Sequence, residues 1–306
     1  MNELVELCEK PSAARTMIAG WHQWADAGSV SSGLPQYLID HTDARHIGSI
    51  QPDSFYLFQI PGAHHFLRPV VKLREGYRQA LESRKNEFFY AGDERRGFLV
   101  FCGEEPHQNE DRYAEAFLDA VEELGVKRIA AVAGVYGQVP YDRDRDVSCV
   151  YSLPEMKDDL SQYALRFSNY EGGATISTYL ADRAESRNIE FFALYALVPA
   201  YSFSTSAMAV HQMAMEEDFK AWHDLMKRLN RMFDLGLDLS DLDRQGRELV
   251  ATWTSQIDHL AQTMPQLGVR DYMEQVNAEF AGESPDQLSD VWEEALRDLF
   301  EDNQDL

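Results

Sequence analysis

The sequence predicts an α/β protein: a three-layer α/β/α sandwich with a mixed, largely parallel sheet, followed by a C-terminal helical extension. Short apolar runs alternate with amphipathic segments over residues 1–200, a pattern typical of a sheet covered by helices on both faces. Residues 201–306 have a helical pattern almost throughout. We therefore predict a core domain over residues 1–200 and a helical region over residues 201–306 that packs on the core or on a neighbouring subunit.

The predicted sheet begins with a short apolar run, TMIAGW, at residues 16–21. We expect Asp26 or Ser29 to cap the next helix, because short polar side chains accept hydrogen bonds from free backbone N–H groups. Pro35 lies inside that segment and lacks a backbone N–H, so the helix either kinks there or begins later. Further strands are predicted over residues 45–50, 54–60, 70–73 and 86–91.

Two strand–helix–strand units follow. The runs GFLVFC at residues 97–102 and RIAAVAGV at residues 128–135 are apolar throughout, as in strands buried on both faces. A helix over residues 110–124 joins them, which implies parallel pairing through a right-handed crossover. The second unit comprises a strand over residues 147–151, a helix over residues 174–187 and a strand over residues 189–198.

Four amphipathic segments fill the second region. In the first, apolar residues recur every three or four positions from Met215 to Phe233, which puts them on one side of a helix. The other three segments span residues 249–264, 269–280 and 288–300. Each apolar stripe must be covered by the α/β domain, by another helix or by another subunit.

The charge composition argues against several classes of partner. The 306 residues carry 52 acidic and 28 basic side chains, a net charge of −24, which repels nucleic acid and anionic membranes. No apolar run approaches the roughly 20 residues that span a bilayer, and the acidic N-terminus lacks a signal-peptide pattern. Cys8, Cys102 and Cys149 lack CxxC spacing and indicate reduced thiols. We expect a cytoplasmic protein that binds neither nucleic acid nor membrane.

The familiar catalytic and phosphate-binding motifs do not occur in the sequence. GxxxxGK[ST], GxGxxG, GxSxG and HExxH are all missing. The closest metal candidate is His64-His65, but adjacent side chains on an extended chain point to opposite sides. The sequence therefore predicts no metal and no cofactor.

Polar clusters follow three of the predicted buried strands. In open α/β sheets, ligands bind beyond the carboxyl ends of strands near a topological switch point. Two carboxylates there would act as acid and base or hold a cation; the alternative is that they cap helices and close turns. The residues of this candidate pocket are Asp26, Gly28, Glu104, Glu105, Tyr136, Gly137, Asp142 and Arg143.

Residues 142–146 alternate in charge, Asp-Arg-Asp-Arg-Asp. On an extended segment this alternation separates acids and bases onto two faces. We expect Arg143 and Arg145 to pair with acids of a neighbouring subunit; the alternative is a solvated ladder that contributes little stability.

Five short motifs occur in a particular order along the chain: Ala19-Gly20-Trp21 with Asp26-Ala27-Gly28, then Gly103 to Pro106, Gly134 to Pro140, Gly172 to Ile176, and Val198 to Tyr201. Together they resemble the proteasome assembly chaperone 2 family over roughly residues 15–300. The resemblance implies an α/β/α sandwich of phosphorylase/hydrolase-like architecture, a C-terminal helical addition and self-association. Eukaryotic and archaeal relatives help to assemble proteasome rings.

The sequence departs from the family pattern in three places. Pro140-Tyr141-Asp142-Arg143 stands where relatives often have Pro-His-Thr-Arg, and Pro199-Ala200-Tyr201 where they often have Pro-His-Tyr. A catalytic role for either histidine therefore cannot operate in this chain. The final residues, 302–306, lack the hydrophobic-Tyr-any tail with which such chaperones dock on proteasomes, so we do not expect docking by that route.

These features favour a non-catalytic, chaperone-like interaction protein that forms a homo-oligomer, a dimer or a trimer. The alternative is a small-molecule hydrolase or phosphorylase-type enzyme that uses an acidic crevice at the strand ends. The acidity, with 7 Lys against 21 Arg, is also compatible with a salt-adapted cytoplasm.

Overall fold

The computed structural model describes residues 2–12, 14–52, 54–58, 69–82, 84–93, 96–205 and 208–282. Its strands are β1 (Val5–Leu7), β2 (Thr16–His22), β3 (Arg45–Ile50), β4 (Val70–Arg74), β5 (Tyr77–Glu82), β6 (Glu87–Ala91), β7 (Phe98–Glu104), β8 (Arg128–Gly137), β9 (Val147–Tyr151), β10 (Arg166–Phe167), β11 (Glu190–Thr205) and β12 (Met208–Ala214). Its helices are α1 (Gly33–His41), α2 (Glu110–Glu123), α3 (Met156–Leu160), α4 (Ile176–Ser186), α5 (Phe219–Met232), α6 (Ser240–Thr263) and α7 (Val269–Gly282).

Ten of these strands form one sheet within the described ranges, in the order β1-β3-β6-β7-β2-β8-β11-β9-β10, with β12 paired to β11. The four central strands, β7, β2, β8 and β11, are parallel to one another. Antiparallel pairs flank them, β6 on β7 and β9 on β11. The predicted mixed α/β sheet is confirmed, and the crossover from β7 to β8 through α2 spans β2.

Helices cover both faces of this sheet. On one face, α2 and α4 bury Phe117, Val121 and Leu180 against the central strands. On the other face, α1, α5 and α6 bury Leu34, Trp222 and other apolar side chains in a second cluster. The apolar stripe predicted for α5 lies in this second cluster, because burying it against the sheet removes apolar surface from water.

The region after residue 200 differs from the predicted helical pattern. Residues 201–205 continue β11, and residues 208–214 form β12 antiparallel to it. Tyr201 and Phe203 are buried while Ser202 between them is exposed, which is the two-residue period of a strand. β11 thus runs across residue 200, where the predicted division of the chain lies; the division itself stays a prediction.

Smaller differences concern local elements. No strand forms over residues 54–58, because Phe55 turns inward and packs on the Tyr113 ring with centroids 5.2 Å apart. The strands β1, β5 and β10 and the short helix α3 were not predicted. The fourth amphipathic segment, residues 288–300, lies outside the described residues. None of the helices that the structure describes is both long enough and apolar enough to cross a membrane.

Candidate functional site

The candidate residues lie at or beyond the carboxyl ends of parallel strands, but they do not surround one cavity in the part of the chain that the structure describes. Asp26 and Gly28 follow β2, Glu104 ends β7 and Glu105 comes directly after it. Tyr136 and Gly137 end β8, and Asp142 and Arg143 lie in the loop beyond. Each group has a different set of contacts.

Asp26 fixes the start of α1. Its Oδ1 accepts hydrogen bonds from the backbone N–H groups of Ser31 (2.9 Å) and Ser32 (2.8 Å), and its Oδ2 accepts one from the Ser32 hydroxyl (2.7 Å). Burial raises the pKa of this carboxyl above its usual value. The backbone of Asp26 also bridges to Gly134 of β8. The backbone of Asp26 therefore joins the segment after β2 to β8, and its side chain caps the turn that leads into α1.

Truncation of Asp26 tests this capping role. Asp26→Ala removes the acceptor of three hydrogen bonds, and we expect it to lower the free energy of unfolding by about 0.5–2 kcal/mol. Chemical denaturation measures the change. The matched control, Glu115→Ala on the exposed side of α2, should change stability by less than about 0.5 kcal/mol. Equal effects of the two variants would contradict the capping role.

Glu105, like Asp26, accepts hydrogen bonds from backbone N–H groups, here at the first residue of α4. Its Oε1 accepts a hydrogen bond from the Ile176 backbone N–H (2.9 Å), and the Trp24 backbone also donates to this carboxylate. Burial raises the pKa of Glu105 to about 7. The side chain joins the loop after β2 to the amino end of α4.

The raised pKa makes stability depend on pH. The carboxyl of Glu105 takes up its proton near pH 7 in the folded chain and near pH 4.5 in the unfolded chain, so stability falls as the pH rises across that window. The free energy of unfolding decreases by roughly 3 kcal/mol across this pH window.

Glu105→Gln keeps the acceptor for Ile176 and removes the titration. We expect the variant to match the wild type near pH 4.5 and to be the more stable protein above pH 7, in urea denaturation at a series of pH values. A stability difference that does not change with pH would contradict the assignment.

Gly28 and Tyr136 hold the segment that precedes α5. Gly28 has a positive φ of 62°, and a Cβ at this position would lie 2.8 Å from the Cβ of Asp218. The Gly28 carbonyl accepts hydrogen bonds from the Asp218 backbone N–H (2.9 Å) and from Trp222 Nε1 (3.0 Å). The Tyr136 hydroxyl donates to the carbonyl of Met215 (3.2 Å), and Gly137 pairs with Pro199 on β11. Gly28 and Tyr136 thus hold the segment that leads into α5, and Gly137 lies in the pairing of β8 with β11.

Arg145 forms a buried ion pair within its own chain, so the expectation of a partner on a neighbouring subunit is wrong for this residue. Its Nε donates to Asp218 Oδ2 at 2.7 Å and its Nη2 to Oδ1 at 3.2 Å. Its Nη1 donates to carbonyls of the 140s loop, including that of Arg143 (2.8 Å). The Arg143 guanidinium lies 5.8 Å from the centre of the Phe280 ring. No sequence signal connects Arg145 to an acid 73 positions away.

A cavity of about 400 Å³ lies at the carboxyl ends of β2 and β7. It is lined by backbone and side chains of Gly20, His22, Gln23, Ser31, Ser32, Gln36, Pro69, Val70, Arg84, Lys85, Glu87, Cys102, Gly103 and Glu104. Glu104 is ion-paired to Arg84, and His22 Nδ1 lies 3.6 Å from Glu104 Oε2. The hydrogen bond to Glu104 raises the pKa of His22. Of the eight candidate residues, Glu104 lines this cavity.

Asp142 lines a smaller cavity, of about 180 Å³, between α5 and α6, with Lys220, His223, Asp243 and three further residues. No group of three His, Cys, Asp or Glu side chains in the described ranges could hold a metal ion. The pair His64-His65 lies outside those ranges. Burial raises the pKa of the Cys102 and Cys149 thiols to about 12, while Cys8 is exposed.

Comparison with known proteins gives a family and several similar structures. The model of the PAC2 family matches residues 20–257. A PAC2 family protein from Streptomyces avermitilis is similar in structure, with a TM-score of 0.66 and 23% identity over 84% of this chain and 98% of that one. A proteasome-assembly chaperone homologue from Mycobacterium tuberculosis has a TM-score of 0.67 and 20% identity over 78% of this chain and 94% of its own.

An archaeal proteasome activator, PbaB from Pyrococcus furiosus, is also similar, with a TM-score of 0.57 and 18% identity over 82% of this chain and 97% of that one. A search among curated proteins found no match. At these identities, the structural likenesses establish the fold.

Proposed function

The chain belongs to the PAC2 family, and from this premise we propose that it is a non-catalytic, assembly-chaperone-like protein of the cytoplasm that binds other proteins and forms a homo-oligomer. Two of the similar structures support a role in protein assembly, since one is a proteasome-assembly chaperone homologue and another a proteasome activator.

The observation that carries the proposal is the surface of the β4–β5 hairpin. Seven large hydrophobic side chains are exposed among the described residues, and five of them lie on this hairpin: Val70, Val71, Leu73, Tyr77 and Leu81. They are between 49% and 73% exposed. Large hydrophobic side chains exposed close together in this way indicate a surface that another molecule covers. A protein partner is the simplest occupant for an extended two-stranded surface.

The contacts of the candidate carboxylates support a non-catalytic role. The oxygens of Asp26 accept hydrogen bonds at the start of α1, and Glu105 accepts them at the start of α4. Glu104 is ion-paired to Arg84. Each of the three carboxylates therefore has a structural contact, Asp26 and Glu105 at a helix start and Glu104 in an ion pair.

Sedimentation velocity at micromolar concentration tests the proposed self-association. We expect one discrete species of two or more subunits whose amount rises with protein concentration. A chain that remains monomeric at every concentration measured would contradict the homo-oligomer.

An enzyme that acts on a small molecule is the second candidate, favoured by the 400 Å³ cavity that places His22 beside Glu104 at the strand ends. Its test is a metabolite screen for turnover, followed by Glu104→Gln and Asp26→Asn. Loss of turnover at an unchanged melting temperature would favour this candidate, and a change in melting temperature alone would make both residues structural.

A further inference from the structure

The side chains of the β4–β5 hairpin whose exposure the structure describes are exposed to solvent, apart from Ala80, which is half-buried. Every described side chain of β4 is exposed, and β4 and β5 pair only with each other within the described residues. A two-stranded hairpin is marginally stable in water unless it packs on something else. Its apolar side chains occur on both strands; Val71, for example, is paired with Leu81. We call the hairpin, residues 70–82, the arm.

The arm belongs to the most basic part of an otherwise acidic chain. Residues 68–85, which include the arm, hold six basic and two acidic residues, and the arm itself holds three basic and two acidic residues, a net charge of +1, in a chain whose net charge is −24. Arg74 and Arg78 are exposed, and neither forms an ion pair with another described residue. Acidic surface on the body of the molecule therefore attracts the two exposed guanidinium groups of the arm. The charge complementarity points to the body of a second copy as the occupant.

Among the described residues, the turn from α6 to α7 combines exposed apolar surface with acidic side chains that have no ion-pair partner. At the turn from α6 to α7, Met264 is 38% exposed, and outside the arm the structure describes only Phe58 as a further large exposed hydrophobic. Asp258, Asp271 and Glu274 lie on the adjoining turns of α6 and α7, exposed and without an ion-pair partner among the described residues. We call these four residues the α6–α7 corner.

We infer that the arm of one copy binds the α6–α7 corner of a second copy, and that this reciprocal contact holds the homo-oligomer together. The inference rests on the proposed function, because it requires self-association. In a symmetric dimer the contact occurs twice, since a two-fold axis relates the two arm–corner pairs. Because the contact joins exposed charges, it weakens as the salt concentration rises.

Charge reversal on the arm tests the inference. Arg74→Glu with Arg78→Glu should weaken self-association at least about tenfold, because like charges then face each other across the contact. The matched control is Arg15→Glu with Lys127→Glu, which changes the net charge equally at exposed positions near the amino ends of β2 and β8. We expect the control to change the dissociation constant by less than about twofold.

A charge swap identifies the surface that receives the arm. Asp271→Arg with Glu274→Arg on the corner should weaken self-association as the arm variant does. When the arm variant and the corner variant are mixed, each arm meets a corner of opposite charge, so the mixture should assemble with nearly the wild-type dissociation constant. Sedimentation velocity measures each variant and the mixture, and an unchanged melting temperature shows that the variants are folded.

The outcomes separate the two proposals. A monomeric wild type would overturn the homo-oligomer and the arm contact together. A wild type that assembles while the arm variant assembles equally well would overturn the arm contact alone. An arm variant that dissociates but is not rescued by the corner variant would overturn the α6–α7 corner as the receiving surface.

Discussion

Replacement of Arg145 by methionine should lower the free energy of unfolding by about 3–5 kcal/mol. Arg145 and Asp218 are both buried, and two hydrogen bonds of 2.7 and 3.2 Å join them. Methionine fills much of the same volume but leaves the Asp218 carboxylate buried without its countercharge. It also leaves carbonyls of the 140s loop, such as that of Tyr141, without their donor.

The expected loss of stability is large because Asp218 also caps α5. Its Oδ1 accepts a hydrogen bond from the Ala221 backbone N–H (3.0 Å) at the start of α5. The pair thus connects the loop after β8 to the first turn of that helix. Urea denaturation followed by circular dichroism measures the change. Arg183→Met, which breaks an exposed pair with Asp111, is the control and should leave the denaturation midpoint nearly unchanged. Similar midpoints for the two variants would contradict the stabilising role of the buried pair.

Trp222→Ala is the second change with a large expected effect, a loss of about 3–5 kcal/mol. The Trp222 ring is buried on α5, and its Nε1 donates to the Gly28 carbonyl at 3.0 Å. The ring lies against α1 so closely that a Cβ on Gly33 would be 2.5 Å from it. Alanine opens a cavity between α1 and α5 and removes one of the two hydrogen-bond donors to the Gly28 carbonyl.

Trp222→Phe separates the two contributions. Phenylalanine keeps much of the packing and loses the hydrogen bond to Gly28, so we expect a smaller loss than for alanine, with about 1 kcal/mol of it from the hydrogen bond. Differential scanning calorimetry of the wild type and both variants provides the measurement. If alanine and phenylalanine destabilise the chain equally, packing of the indole ring against α1 contributes little.

The sequence placed the central strands well because their patterns are local. The apolar runs at residues 97–102 and 128–135 lie in β7 and β8 of the structure. A fully buried strand needs apolar side chains on both faces, and that requirement is visible in consecutive residues. The stripe of α5 was equally visible, because Trp222, Met226 and Leu229 recur at the helical period. The strand over residues 201–205 was missed because a strongly helical pattern follows it.

At the candidate site, local sequence patterns predict the positions of the carboxylates but not their contacts. The positions of Asp26, Glu104 and Glu105 beyond β2 and β7 follow from the order of strands along the chain. The groups that each carboxylate contacts cannot be predicted from that order. Ile176 lies 71 positions from Glu105, and Arg84 lies 20 positions from Glu104. The same limit applies to Arg145, whose charge pattern among its neighbours predicted a solvated or intersubunit pair.

The sequence by itself determined the α/β class, the strand–helix–strand order and the resemblance to the PAC2 family, since hydrophobic period and motif order are properties of neighbouring residues. Only the tertiary structure decided that Arg145 is buried against Asp218 and that large hydrophobic side chains of the β4–β5 hairpin are exposed. Burial and pairing depend on which distant segments the fold brings together, and the hydrophobic effect acts on the assembled surface, whatever the position of its residues along the chain.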